Sequence, residues 1–211
     1  RAERHTVYGD FRGAQLAACV GAHVGAGRPG FFPHTVWGVY DSVRVGGTDV
    51  DELDVVGGFL ADDGVPVGFL SGEAALVESA RRRYPWIVGV PIEKDEAANT
   101  GPGREPLWAG QRERLRAGAE RAARSTATMR PVEPPRPYRF EVVHRNEKVA
   151  ARRAALWGLD REGPRIAWER PTFPEAFEVF LRLTFFTPRT YPWQRTILAL
   201  LGAMNRFRYV P

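Results

Sequence analysis

Apolar residues fall along this chain in two alternating arrangements, short unbroken runs and longer stretches with helical spacing. Ala14 to Val20 is a short apolar run closed by Gly21, the pattern of a buried strand. Gly21 to Pro33 is broken by glycine and proline and reads as a long loop. Val36 to Tyr40 and Ser42 to Val45 predict two short strands, and Gly46-Gly47 turns the chain. Thr48 or Asp49 then caps a helix that runs to about Asp63 and stops at Gly64. Val65 to Leu70 predicts a second buried strand. Ser71 is placed to cap a helix from Glu73 to Arg83, and Trp86 to Pro91 is a third strand. Pro106 to Arg124 has the spacing of a long helix. The proline-dense stretch from Ser125 to Pro137 is a linker. After it the pattern predicts a strand (Tyr138 to His144), a helix (Glu147 to Trp157), a strand (Arg165 to Glu169) and a helix (Pro174 to Leu183). The tail from Thr187 carries one amphipathic pattern around Trp193 to Phe207.

Strands that alternate with helices imply βαβ units. The expected fold is therefore α/β, a three-layer and largely parallel sheet with a smaller C-terminal α+β portion. The expected divisions are 1–125, 126–186 and a helical tail at 187–211.

Composition narrows the class. The chain is 44% hydrophobic, enough to bury a core, so it is not a disordered protein. No run approaches the ~18 apolar residues of a membrane span. No charged start leads into an apolar secretory segment. The single cysteine, Cys19, rules out an internal disulfide and a cysteine zinc site within one chain, and suits a reducing cytoplasm. The net charge is +5, with basic clusters at Arg81-Arg82-Arg83, Arg112 to Arg124 and Arg152-Arg153. These could track a nucleic acid. However, each cluster lies on a predicted helix with acids interspersed and no stacking aromatics, so solvated helix faces are the better reading.

Candidate chemistry gathers in the glycine loop. Gly25-Ala26-Gly27-Arg28-Pro29-Gly30 spells G-x-G-x-x-G, with Asp49 at a plausible distance beyond. A dinucleotide site needs a helix to begin at that loop, and Phe31-Phe32-Pro33 follows instead. His23 and His34 are better candidates. His23 follows a strand, where ligands of open α/β sheets collect, and imidazole serves both as zinc ligand and as general base. Glu52, within Asp49-Val50-Asp51-Glu52, could complete a His/Glu coordination set. On spacing alone the plainer alternative stays open: loop histidines with hydrogen bonds and no ligand, beside acids that favour a helix start. His144 ends a strand and reads as structural. Lys94 could reach a substrate carboxylate, but a solvated lysine is the simpler assignment.

Taken together, Phe11-Arg12-Gly13-Ala14, Gly21-Ala22-His23, Gly30, His34-Thr35 and Asp51-Glu52-Leu53 resemble the zinc-dependent D-aminopeptidase family. Gly64-Val65-Pro66-Val67 leading to Ser71-Gly72, the Pro85 to Lys94 region, and the linker before Tyr138-Arg139-Phe140-Glu141 extend the likeness in order. It covers roughly residues 10–186 and is most specific in the glycine and histidine section. The resemblance implies that His23 and Glu52 are zinc ligands and that His34 is the catalytic histidine. It also implies two zinc ions at one site, cleavage of short peptides after an N-terminal D-amino acid, and ring-shaped homo-oligomers.

The sequence departs from the family pattern at its start. The family opens with a strand carrying an Asp-x-Glu pair and has a further histidine ligand, and nothing equivalent precedes Phe11. His5 lies too close to the first matched strand to substitute. Asp54 and Val56 stand where many members have glycine and asparagine. The chain opens on Arg1 and enters an apolar strand almost at once, so the expectation is that an N-terminal third lies outside this sequence. The alternatives are a short, metal-free oligomeric homologue acting in binding or assembly, and ligands supplied by a neighbouring chain.

Overall fold

The structure, a computed structural model, describes residues 13–92 and 105–189, with positions 191, 193 and 196. His5, Lys94 and most of the expected tail helix lie outside the described residues. Two sheets organise the described residues. The first is parallel, with three strands in the order β1 (Ala17–Ala22), β4 (Val67–Glu73) and β5 (Val88–Ile92). The second is antiparallel: β3 (Thr48–Asp49), β2 (Tyr40–Val45), β6 (Arg139–His144), β8 (Arg165–Glu169) and β7 (Arg161–Glu162). The helices are α1 (Glu52–Ala61), α2 (Ala74–Arg83), α3 (Glu105–Arg124), α4 (Glu147–Trp157) and α5 (Phe173–Phe185).

The α/β class holds, with a parallel sheet between helices and a second, antiparallel sheet that is larger than the expected C-terminal portion. β2 pairs with β6 and β3 with β2, so the antiparallel sheet draws strands from both sides of residue 125. The Gly46-Gly47 turn makes this possible, because both glycines hold positive φ and reverse β2 directly onto β3.

The parallel sheet sits between helices. Successive residues of a strand face opposite ways. Phe69 of β4 accordingly packs with Ala122 of α3, while Leu70 packs with Leu53 and Leu60 of α1 and Leu76 and Val77 of α2. A larger core lies under the antiparallel sheet. Phe140, Val142, Ile166 and Trp168 meet Phe173, Phe177 and Phe180 of α5, whose spacing forms one apolar stripe. α1 enters both cores, through Leu53 and Leu60 on one side and Val55 and Phe59 on the other.

Several local expectations change. β1 is not a buried strand. Among the described residues it lies at the edge of the parallel sheet, and Val20 is 69% exposed. The strand expected from Val36 does not form before Tyr40, because Val36 adopts φ +65 and turns the chain. The helix expected from Thr48 or Asp49 starts two or three residues later, since those two residues pair with β2 as β3. Asp51 is the cap instead: its side chain accepts from the Asp54 N–H, and the Asp54 carboxylate accepts from the Asp51 N–H. Ser71 does not cap α2, because β4 continues through Glu73. The short strand β7 was not anticipated.

Candidate functional site

Parallel register builds the site. Ala22 at the end of β1 lies beside Gly72 near the end of β4, so the next residues, His23 and Glu73, emerge side by side at the carboxyl edge. His23 Nδ1 is 2.8 Å from Glu73 Oε1. Gly72 is required for this approach, because a Cβ there would collide with the Ala22 carbonyl.

The glycine loop then returns over the same edge. His34 N–H donates to the Val24 carbonyl at 3.0 Å. The hydroxyl of buried Thr35 accepts from the Ala26 N–H at 3.1 Å and donates to the Val50 carbonyl at 3.0 Å. These bonds bring His34 against the first turn of α1, where its Nε2 lies 3.3 Å from Glu52 Oε1. The two imidazole centroids are 5.0 Å apart, and Phe32 packs on both rings, 5.6 Å from His23 and 4.9 Å from His34.

The structure thus places the three sequence candidates together. Glu52 bonds His34, and His23 bonds Glu73. Glu73 is the residue that sequence reasoning missed. No helix starts at the loop between Gly25 and Gly30, in line with the rejection of a dinucleotide fingerprint, and the next helix is α1. Lys94 and His5 lie outside the described residues.

Charge follows from these contacts. His34 Nδ1–H donates to the Phe32 carbonyl at 2.8 Å, and a carbonyl only accepts, so that nitrogen carries a proton. The Glu52 hydrogen bond, against some loss from burial, raises the His34 pKa above its ordinary value. Burial would raise Glu52. The bond and charge of His34, the charge of His23 and the Val36 N–H outweigh it and hold the carboxyl below its usual range. Glu73 behaves alike: burial opposes ionisation, but the Phe31 N–H, His23 and the Phe32 N–H lower its pKa. Cys19, on the strand before His23, is pushed up to about 12 by burial and then by the charges of Glu52 and Asp51. It is not a thiolate nucleophile at neutral pH.

Below Glu52 lies a second charged cluster. Arg83, at the end of α2, reaches the carboxylates of Asp51 (2.6 Å) and Asp54, and the Tyr84 hydroxyl donates to Asp54 at 2.8 Å. Asp51 is fully buried, and burial together with the Asp54 charge pushes its pKa up to about 7. The cluster fixes the start of α1 and therefore the position of Glu52.

Imidazole and carboxylate are ordinary zinc donors, so the chemistry of the set suits that ion. Among the described residues, however, no three His, Cys, Asp or Glu side chains converge to hold one metal ion. The residues present fit part of a zinc site. Nor is any helix among the described residues long and apolar enough to cross a membrane.

The sequence matches the family model described as D-aminopeptidase over residues 5–182. No curated protein matches it. One solved structure does, the Zn-dependent D-aminopeptidase DppA from Bacillus subtilis, described as a self-compartmentalizing protease. The TM-score is 0.70 at 17% identity, over 79% of this chain and 62% of that one. At that identity the match establishes a shared fold, and this chain spans less than two thirds of the DppA chain.

Proposed function

The chain belongs to the D-aminopeptidase family, and from that premise we propose that it contributes the catalytic edge of a zinc-dependent peptidase that releases N-terminal D-amino acids from short peptides. The observation that carries this reading is the convergence of His23, His34 and Glu52 at the carboxyl ends of the parallel strands. In this reading His23 and Glu52 are zinc ligands, and the remaining ligands come from groups outside the described residues. Bound zinc supplies charge that polarises a carbonyl and acidifies water. His34 handles the proton. Its Nδ1–H is fixed on Phe32, so Nε2 is the working nitrogen: protonated, it donates to Glu52, and with Glu52 turned to zinc it would be free to take a proton from an attacking water and return it to the leaving amine. The protein works as a homo-oligomer in the cytoplasm.

The test is zinc per chain by elemental analysis, with hydrolysis of dipeptides bearing an N-terminal D-residue, on the wild type and His34→Ala. The expected result is bound zinc in both and activity only in the wild type. An active His34→Ala chain would overturn the role of His34. Light scattering on the same samples reads the assembly, and a monomer would refute the homo-oligomer.

A second reading has its own support. Each imidazole already has a carboxylate partner, His23 with Glu73 and His34 with Glu52, which is how histidines are held in a purely structural role. A metal-free homologue acting in binding or assembly would keep these pairs, and zinc near zero in the same analysis would favour it.

A further inference from the structure

Glu73 is 3% exposed, yet its carboxylate makes three hydrogen bonds, all to the glycine loop. Oε1 accepts from His23 Nδ1 at 2.8 Å and from the Phe32 N–H at 3.3 Å, and Oε2 accepts from the Phe31 N–H at 2.7 Å. The loop leaves room for it at Gly30, where a Cβ would collide with Oε2 and with Val24. A carboxylate that is ionised can only accept, so the proton in its bond to His23 belongs to Nδ1.

We infer that Glu73 is the positioning residue of this site: it fixes His23 as the Nδ1–H tautomer, with the lone pair on Nε2, and pins the Phe31-Phe32 turn that carries His34. The inference deepens the reading of His23 as a metal ligand and rests on it for its meaning. A buried carboxylate behind a ligand imidazole orients the ring and selects the nitrogen that faces the ion. One side chain thereby sets both histidines, His23 through its ring and His34 through the Phe32 carbonyl that its Nδ1–H needs.

The experiment is a long-range proton–nitrogen correlation spectrum of the full chain, labelled with nitrogen-15, at mildly alkaline pH without metal. In the wild type the His23 signals should show a protonated Nδ1 and a bare Nε2. In Glu73→Gln the single amide oxygen cannot serve both His23 and the Phe31 N–H. The Nε2–H form should then become the major one, and zinc uptake should weaken by about 10–100-fold. An Nε2–H tautomer in the wild type overturns the inference without any variant. So does an unchanged Nδ1–H tautomer in folded Glu73→Gln. A wild-type chain that binds no zinc removes the ligand reading of His23, and the tautomer result then stands by itself, so the two failures are distinguishable.

Discussion

Gly30 has no freedom to carry a side chain, for a reason visible only in three dimensions. The loop backbone passes so close to Glu73 that any Cβ strikes the carboxylate and Val24. Gly30→Ala should therefore lose roughly 1–3 kcal/mol, the usual cost of overpacking, in urea unfolding. A variant as stable as the wild type would mean that the loop and Glu73 part easily. At this scale the sequence was partly readable. His23, His34 and Glu52 could be picked out by residue type, spacing and resemblance. Glu73 could not, because the apolar run before it ends at Leu70 and a glutamate after Ser71-Gly72 has the pattern of an ordinary helix-start acid. The usable signal is its place at the carboxyl end of a central strand, where sheet ligands collect.

Elements carry the next set of consequences. The start of α1 depends on Arg83, which neutralises two buried carboxylates from a different helix. Arg83→Ala should cost roughly 3 kcal/mol in urea unfolding, near the low end for a broken buried pair because Arg28 remains 4.0 Å from Asp51. A loss under ~0.5 kcal/mol would show the cluster to be dispensable. In β6, His144 is buried beneath Tyr40, and its Nδ1 has no hydrogen-bond partner among the described residues. Burial, then the charge of Arg153, lowers its pKa below the ordinary 6.5. The unfolded chain therefore takes up this proton first, and stability falls as pH drops below about 6.5. His144→Phe should flatten that dependence, which urea midpoints at pH near 7.5 and near 5.5 would measure. Equal slopes in the two chains would exclude His144 as the cause. Elements whose residues alternate or repeat cleanly, such as α4 and β8, were legible to the residue. The start of α1 was not, because Thr48 and Asp49 suit a cap and a strand equally, and only pairing with β2 decides between them.

At the level of the whole molecule, α1 is shared property. Phe59 belongs to the core under the antiparallel sheet and Leu60 to the core of the parallel one, and both are buried. Neither core can open without disturbing the other, so unfolding should be a single transition. Phe59→Ala should cost about 3–5 kcal/mol and Leu60→Ala about 2–5 kcal/mol. Each should lower one common midpoint, whether followed by circular dichroism or by tryptophan fluorescence. Two separated transitions would show the cores to be independent. The α/β class was legible because strand and helix patterns alternate. The recruitment of β2 and β3 into the antiparallel sheet was not, because the partner of β2 lies about a hundred residues further along, beyond the reach of any local pattern.

The first turn of α1 also holds Glu52, so the site stands on the element that both cores grip. Anyone seeking a hardier version of this protein would gain little by altering the loop around the histidines. The better target is the aromatic stripe of α5, where improved packing against Phe59 would secure Glu52 from a distance.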